Sequence, residues 1–223
     1  MRAVLAFDVY GTLIDTHGVV EELKDRVGDQ AAAFSQRWRD KQLEYTFRRG
    51  LMGAYADFAQ CTREALEFVD RAMATHLSET DKDRLMTRYT RLPAFPDVVE
   101  ALERMAEIGI RRVAFSNGSR QAVTGLLEQA KIIQHFDDIV SVEEIKRFKP
   151  DPAVYAHLRS RLETATNDTW LISSNPFDVI GAKHAGLHAA WVRRSAEAPF
   201  DPWGGEPDVT VTDLDELVSV FTN

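Results

Sequence analysis

Apolar positions along the chain fall into two rhythms. The run Ala3-Val-Leu-Ala-Phe7 is unbroken and ends at Asp8, the pattern of a strand buried on both faces of a parallel sheet. From Asp15 to about Leu92 the apolar residues recur at helical spacing, through Ala32, Phe34, Trp38, Leu43 and Tyr45 and later Leu66, Val69 and Met73, with no convincing strand between. Beyond Pro93 and Pro96 the chain alternates. Val98, Val99, Leu102 and Met105 predict a helix closed by Gly109, followed by a strand at Arg112-Val-Ala-Phe115. A helix carrying Val123, Leu126, Leu127 and Ala130, a strand at Asp138-Ile-Val140 and a helix from Pro152 come next. The strand Trp170-Leu-Ile172, a helix from Pro176 to near Gly186 and the strand His188-Ala-Ala-Trp-Val192 follow. A Pro/Gly-rich loop through Trp203-Gly-Gly205, the strand Val209-Thr-Val211 and an amphipathic helix close the series.

Strands alternating with helices imply an α/β fold, a doubly wound parallel sheet of Rossmann type whose ligands bind beyond the carboxyl ends of the strands. The long helical stretch reads as an insertion after the first strand. Residues 1–14 and 93–223 are expected to form the α/β core domain and residues 15–92 a helical cap domain.

The length of 223 residues accommodates one full core with a smaller attached lobe. A formal charge of −8, with basic residues only in short pairs such as Arg193-Arg194, leaves no electrostatic footprint for nucleic acid. An anionic substrate therefore has to be attracted by local cations. Cys61 is alone, and the start lacks the form of a signal peptide, so a reducing cytoplasm is the expected address. No apolar run approaches the roughly 18 residues of a membrane span.

The chemistry gathers at strand ends. Asp8-Val-Tyr-Gly-Thr12, Ser116-Asn-Gly118, Lys149-Pro150 and Ser173-Ser-Asn-Pro-Phe-Asp178 each fall at the rim where the sheet presents its carboxyl ends. Singly, each also reads as a turn or a helix cap. Together and in this order they resemble the four motifs of the haloacid dehalogenase superfamily, over nearly the whole core and part of the cap.

Two departures narrow the resemblance. The phosphatases of that superfamily carry a second Asp two positions after the nucleophile, whereas here Tyr10 stands there. Their fourth motif supplies acidic ligands to Mg²⁺, whereas Ser173, Ser174 and Asn175 are neutral and only Asp178 is charged. Both departures are similar to the (S)-2-haloacid dehalogenase (type II) branch, which implies a hydrolase acting on carbon–halide bonds with no cofactor and no metal. The cap segment Arg39-Asp-Lys-Gln-Leu-Glu-Tyr-Thr46 resembles the stretch in which that branch carries its halide-binding arginine. An isolated Arg on such a helix reads instead as part of a solvated charged face.

The resemblance implies that Asp8 attacks C2 of a 2-halo carboxylate, expels halide with inversion and forms an ester that water then hydrolyses. Two carboxylates at about 4 Å repel by about 4 kcal/mol at a dielectric near 20, so cations must offset that. Lys149 is the expected partner of Asp8, and Arg39 and Asn117 the expected partners of the halide. Ser116 and the backbone N–H groups around Val9 and Tyr10 are expected to hold the substrate carboxylate. Thr12, Ser173, Asn175 and Asp178 match residues that order the site, with Asp178 holding Lys149 or the hydrolytic water; no water-activating base is assigned. Tyr155 matches a catalytic residue of the branch and equally reads as a core aromatic. Tyr10, Leu43, Phe58 and Phe177 align with an apolar pocket around C2, Phe177 standing where family members often have Trp. Trp170, Trp191 and the histidines read as structural. A homodimer is the implied assembly. The rival functions are a magnesium-dependent phosphatase or phosphonate hydrolase on the same core, and a non-catalytic binding protein that kept the fold.

Overall fold

The computed structural model describes residues 3–163 and 168–222. Among them six strands form one all-parallel sheet: β1 (Val4–Asp8), β2 (Arg111–Ser116), β3 (Asp138–Ser141), β4 (Thr169–Ser173), β5 (His188–Val192) and β6 (Val209–Val211), in the order β3-β2-β1-β4-β5-β6. The chain winds outward from β1 through β2 to β3, then returns to lay β4 on the other side of β1. That reversal opens a crevice at the carboxyl ends of β1 and β4. The registers Asp8 to Phe115 and Phe7 to Ile172 bring the ends of β1, β2 and β4 level.

Every residue of β1 is buried, as its apolar run requires once helices cover both sheet faces. Full burial of a side chain such as Phe7 contributes about 2–3 kcal/mol. The strand reaches one residue further than the apolar run and includes Asp8, because a parallel ladder needs only the backbone. The covering helices are α5 (Val98–Glu107), α6 (Arg120–Gln129), α7 (Pro152–Leu162), α8 (Pro176–His184) and α9 (Leu214–Thr222).

Between β1 and α5 the chain forms an inserted helical lobe: α1 (Val20–Val27), α2 (Ala31–Met52), α3 (Phe58–Met73) and α4 (Glu79–Tyr89). Helix α3 starts where the Asp57 side chain accepts from the Gln60 N–H and ends at Ala74 in the left-handed region; Asp70, Val69, Leu66 and Thr62 lie on its buried face. The longest helix, α2, buries Phe34, Trp38, Gln42 and Thr46, a stripe at i, i+4, i+8 and i+12 that contains two polar residues. No helix among the described residues is long and apolar enough to cross a membrane.

Candidate active site

Asp8 stands at the sheet end with only 7% of its surface exposed, and its two carboxylate oxygens have different partners. Oδ1 accepts from the Lys149 ammonium at 3.0 Å. Oδ2 accepts from the Thr12 hydroxyl at 3.0 Å, the Asn175 amide at 2.7 Å and the Ser173 hydroxyl at 3.4 Å. Proton directions follow from the neighbours. Thr12 Oγ1 accepts the Ser174 N–H at 2.8 Å while the Ser174 hydroxyl donates to the Gly11 carbonyl at 2.6 Å, so the Thr12 proton points to Asp8.

Lys149 is the pivot of the site. Its three N–H bonds go to Asp8, to the Phe115 carbonyl at 2.9 Å and to Asp178 Oδ2 at 2.8 Å, satisfying an ammonium that is fully buried. Burial alone would lower its pKa; the charges of Asp178 and Asp8 outweigh that and hold it above the ordinary lysine range. Burial pushes the Asp178 carboxyl up, against the pull of Lys149. Tyr155 completes the chain by donating to Asp178 Oδ1 at 2.7 Å, and burial followed by the Asp178 charge pushes its phenol well above the ordinary range. Its buried ring also packs edge-on against Phe115, as a core aromatic does.

Gly181 makes this possible. A Cβ there would lie 2.4 Å from the Tyr155 hydroxyl and 2.7 Å from Pro150 Cβ, so only hydrogen lets α7 and α8 approach closely enough. The need for glycine is a packing fact with no sequence pattern to announce it.

Ser116 ends β2 fully buried, its Oγ accepting the Gly118 N–H at 3.1 Å; the cap of α6 is Ser119. The Asn117 side-chain oxygen accepts the Lys149 backbone N–H at 3.0 Å, which fixes the amide and turns its NH₂ the other way. In the loop after β1, the Val9 carbonyl accepts from Thr12, Leu13 and Ile14 and the Gly11 N–H donates to Ile14; none of these bonds uses the N–H of Val9 or Tyr10.

Arg39 reaches in from α2 and is half-buried; of its charged neighbours, half-buried Lys41 and exposed Arg48 pair with Glu44. Its Nη2 donates to the Tyr10 carbonyl at 3.2 Å, the same oxygen that accepts from the Asn175 amide at 3.2 Å. Arg39 and Asp8 are thus joined through one carbonyl and one amide. A cavity of about 250 Å³ opens alongside, lined by Arg39, Asn175, Ser174, Arg193 and Arg194 among others and by no carboxylate side chain. Trp191 and His17, expected to be structural, also line it, and Trp191 Nε1 donates to the Ser174 carbonyl at 3.2 Å. Trp170 packs against His188 and Phe221 away from this site.

Two sets of contacts involve the residues expected around the apolar pocket. Tyr10 packs on Phe58 at 5.2 Å between ring centres and stacks on Tyr89 at 5.8 Å. Phe177 instead meets Phe47 at 5.1 Å, and half-buried Leu43 lies one turn before Phe47 on the same face of α2. Sequence reasoning passed over Phe47, Tyr89 and Gln42, the last of which accepts from Arg39 Nη1 at 2.7 Å; its i, i+3 spacing from Arg39 was the available signal.

The donor set does not fit a hard divalent cation. Asp8 and Asp178 have their oxygens taken by an ammonium, hydroxyls and an amide, and positions 173–175 add only neutral groups. Among the described residues no group of three or more His, Cys, Asp or Glu side chains is placed to hold a metal ion.

Comparison with known proteins agrees with this geometry. A family model described as haloacid dehalogenase-like hydrolase matches residues 3–186. An (S)-2-haloacid dehalogenase of Pseudomonas putida is 37% identical over 213 residues, covering 96% of this chain and 95% of that protein. A haloacetate dehalogenase of Moraxella sp. (strain B) is 35% identical over 217 residues, with coverage of 97% and 96%. The solved structure of the L-2-haloacid dehalogenase of Xanthobacter autotrophicus with chloropropionic acid covalently bound superposes with a TM-score of 0.93 at 30% identity, covering 100% of this chain and 99% of that one. The fold, the four strand-end motifs and these likenesses agree: the chain belongs to the haloacid dehalogenase-like hydrolases, in the branch of the (S)-2-haloacid dehalogenases.

Proposed function

We propose that the protein is an (S)-2-haloacid dehalogenase, a hydrolase that converts short 2-halo carboxylic acids to 2-hydroxy acids with inversion through an Asp8 ester. The observation that carries the reading is the unequal treatment of the two Asp8 oxygens. Oδ2 is surrounded by three neutral donors, whereas Oδ1 meets Lys149 and is the freer to attack C2. Once Oδ1 is alkylated, Oδ2 becomes the ester carbonyl oxygen, and Thr12, Ser173 and Asn175 already point at the position where negative charge develops when water adds. Halide leaves as an anion and takes no proton, so the reaction has no use for a general acid at position 10, where the Tyr10 ring packs against Phe58 and Tyr89.

The remaining roles follow the family resemblance. Arg39 faces the departing halide, where its attraction grows as the carbon–halide bond breaks, and the Asn117 NH₂ adds a hydrogen bond. The substrate carboxylate sits between Ser116 and the N–H groups of Val9 and Tyr10. Asp178 and Tyr155 hold Lys149 in place. Residues 15–92 act as the cap: the chain leaves and re-enters the core where the Asp15 N–H donates to the Pro93 carbonyl at 2.9 Å and Ile14 bridges to Ala94. The working form proposed is a cytoplasmic homodimer, following the family resemblance, with light scattering as its test.

The function is tested by halide release from (S)-2-chloropropionate with EDTA present. Release is expected in the parent and absent in Asp8→Asn. A requirement for added Mg²⁺, or full activity in Asp8→Asn, refutes the assignment.

A further inference from the structure

The Arg39 guanidinium is oriented by a buried polar chain in the cap. Gln42 is fully buried on α2, and its side-chain oxygen accepts from Arg39 Nη1 at 2.7 Å and from the Tyr89 hydroxyl at 3.1 Å. Its Nε2 donates to Thr62 Oγ1. Thr62 in turn donates its one hydroxyl proton to the Phe58 carbonyl at 2.7 Å, one turn earlier on α3. Toward Gln42 this hydroxyl can therefore only accept, which forces the Gln42 NH₂ to that side and its carbonyl toward Arg39. The Thr62 backbone is fixed as well, its carbonyl accepting Trp38 Nε1 at 2.8 Å.

We propose that Gln42 is a positioning residue that aims Arg39 at the departing halide while leaving its charge uncompensated. The inference rests on the role given to Arg39 above. With Nη1 on Gln42 and Nη2 on the Tyr10 carbonyl, both partners of the guanidinium are neutral oxygens. Of its five N–H donors about three remain for an anion, on a side chain that also lines the cavity. A carboxylate at position 42 would grip Arg39 equally well and cancel the charge that the halide needs. Tyr89 extends the same chain to the core, since it bonds to Gln42 and stacks on Tyr10.

The test uses the full chain as parent, Gln42→Glu and Gln42→Met, the second removing the acceptor without adding charge. Single-turnover release of chloride and bromide from the (S)-2-halopropionates is followed together with chloride binding by chlorine-35 NMR line broadening, with Arg39→Gln marking the signal that belongs to Arg39. In Gln42→Glu, chloride release is expected to fall about a hundredfold, the scale of one lost transition-state interaction. Bromide release falls less, because a better leaving group carries less charge at the transition state. Hydrolysis of the ester, which does not involve Arg39, keeps the parent rate, and chloride binding weakens at least tenfold. Gln42→Met shows the same pattern with smaller losses. Parent-like chloride binding and an unchanged chloride-to-bromide rate ratio in both variants would overturn the proposal. If the parent released no halide from either acid, the dehalogenase reading would fall, and the chloride titration would still decide whether Gln42 governs anion binding at Arg39.

Discussion

Replacing Asn175 with Ala separates the two half-reactions. Of the three donors on Asp8 Oδ2, the Asn175 amide is the shortest at 2.7 Å, against 3.0 Å for Thr12 and 3.4 Å for Ser173. Losing one preorganised donor to a developing oxyanion costs about 2.7–4 kcal/mol, a slowing of about 10²–10³ in the step that forms it. That step is attack of water on the ester. The first step responds differently, because a carboxylate relieved of a hydrogen bond is no weaker a nucleophile, and the Oδ1–Lys149 contact at 3.0 Å is untouched. Rapid-quench assay of Asn175→Ala is therefore expected to show a stoichiometric burst of chloride from (S)-2-chloropropionate, then a slow steady state. Mass spectrometry of the quenched, protease-digested protein should show the propionate ester accumulating on the peptide that contains Asp8. Equal slowing of both steps, with neither burst nor adduct, would refute the assignment of Oδ2 as the carbonyl oxygen of the ester.

Lys149→Met leaves Asp8 and Asp178 buried without the cation between them; halide release is expected to vanish and urea unfolding to show a loss of about 3–5 kcal/mol. In Gly181→Ala the added methyl meets the Tyr155 hydroxyl, so a destabilisation of about 1–3 kcal/mol and reduced turnover are expected, and an unchanged melting temperature with full activity would contradict the packing. In the cap, burial would raise the Asp70 carboxyl, but the Leu77 N–H, the Thr75 hydroxyl and Lys82 outweigh it and hold it below the ordinary Asp range. A lowered folded pKa stabilises above the unfolded value of about 3.9, and that contribution disappears as pH falls through the folded value. Asp70→Asn should therefore unfold more readily than the parent in urea at pH 6, with the gap narrowing progressively below about pH 4.

The order of strands and helices was legible in the sequence because burial on both sheet faces writes itself as short apolar runs and helix packing as 3.6-residue recurrence. The same runs located Asp8, Ser116 and Ser173, since strand ends in a doubly wound sheet fall on one rim. Lys149, Asn175 and Asp178 were placed by motif resemblance, which paired Lys149 with Asp8 and Asp178 but gave Asn175 no partner. Three things were decided only in three dimensions. Which oxygen of Asp8 each donor takes depends on the register of β1 between β2 and β4. The fit of Tyr155 against Asp178 depends on how closely α7 approaches α8 at Gly181. The partners of Arg39 depend on α2, α3, α4 and the loop after β1 meeting at one point, so that Gln42, Thr62, Tyr89 and the Tyr10 carbonyl converge from four separate stretches of chain. Local periodicity records which face of each element is apolar; it carries no information about which polar atoms of distant elements meet once those faces are packed.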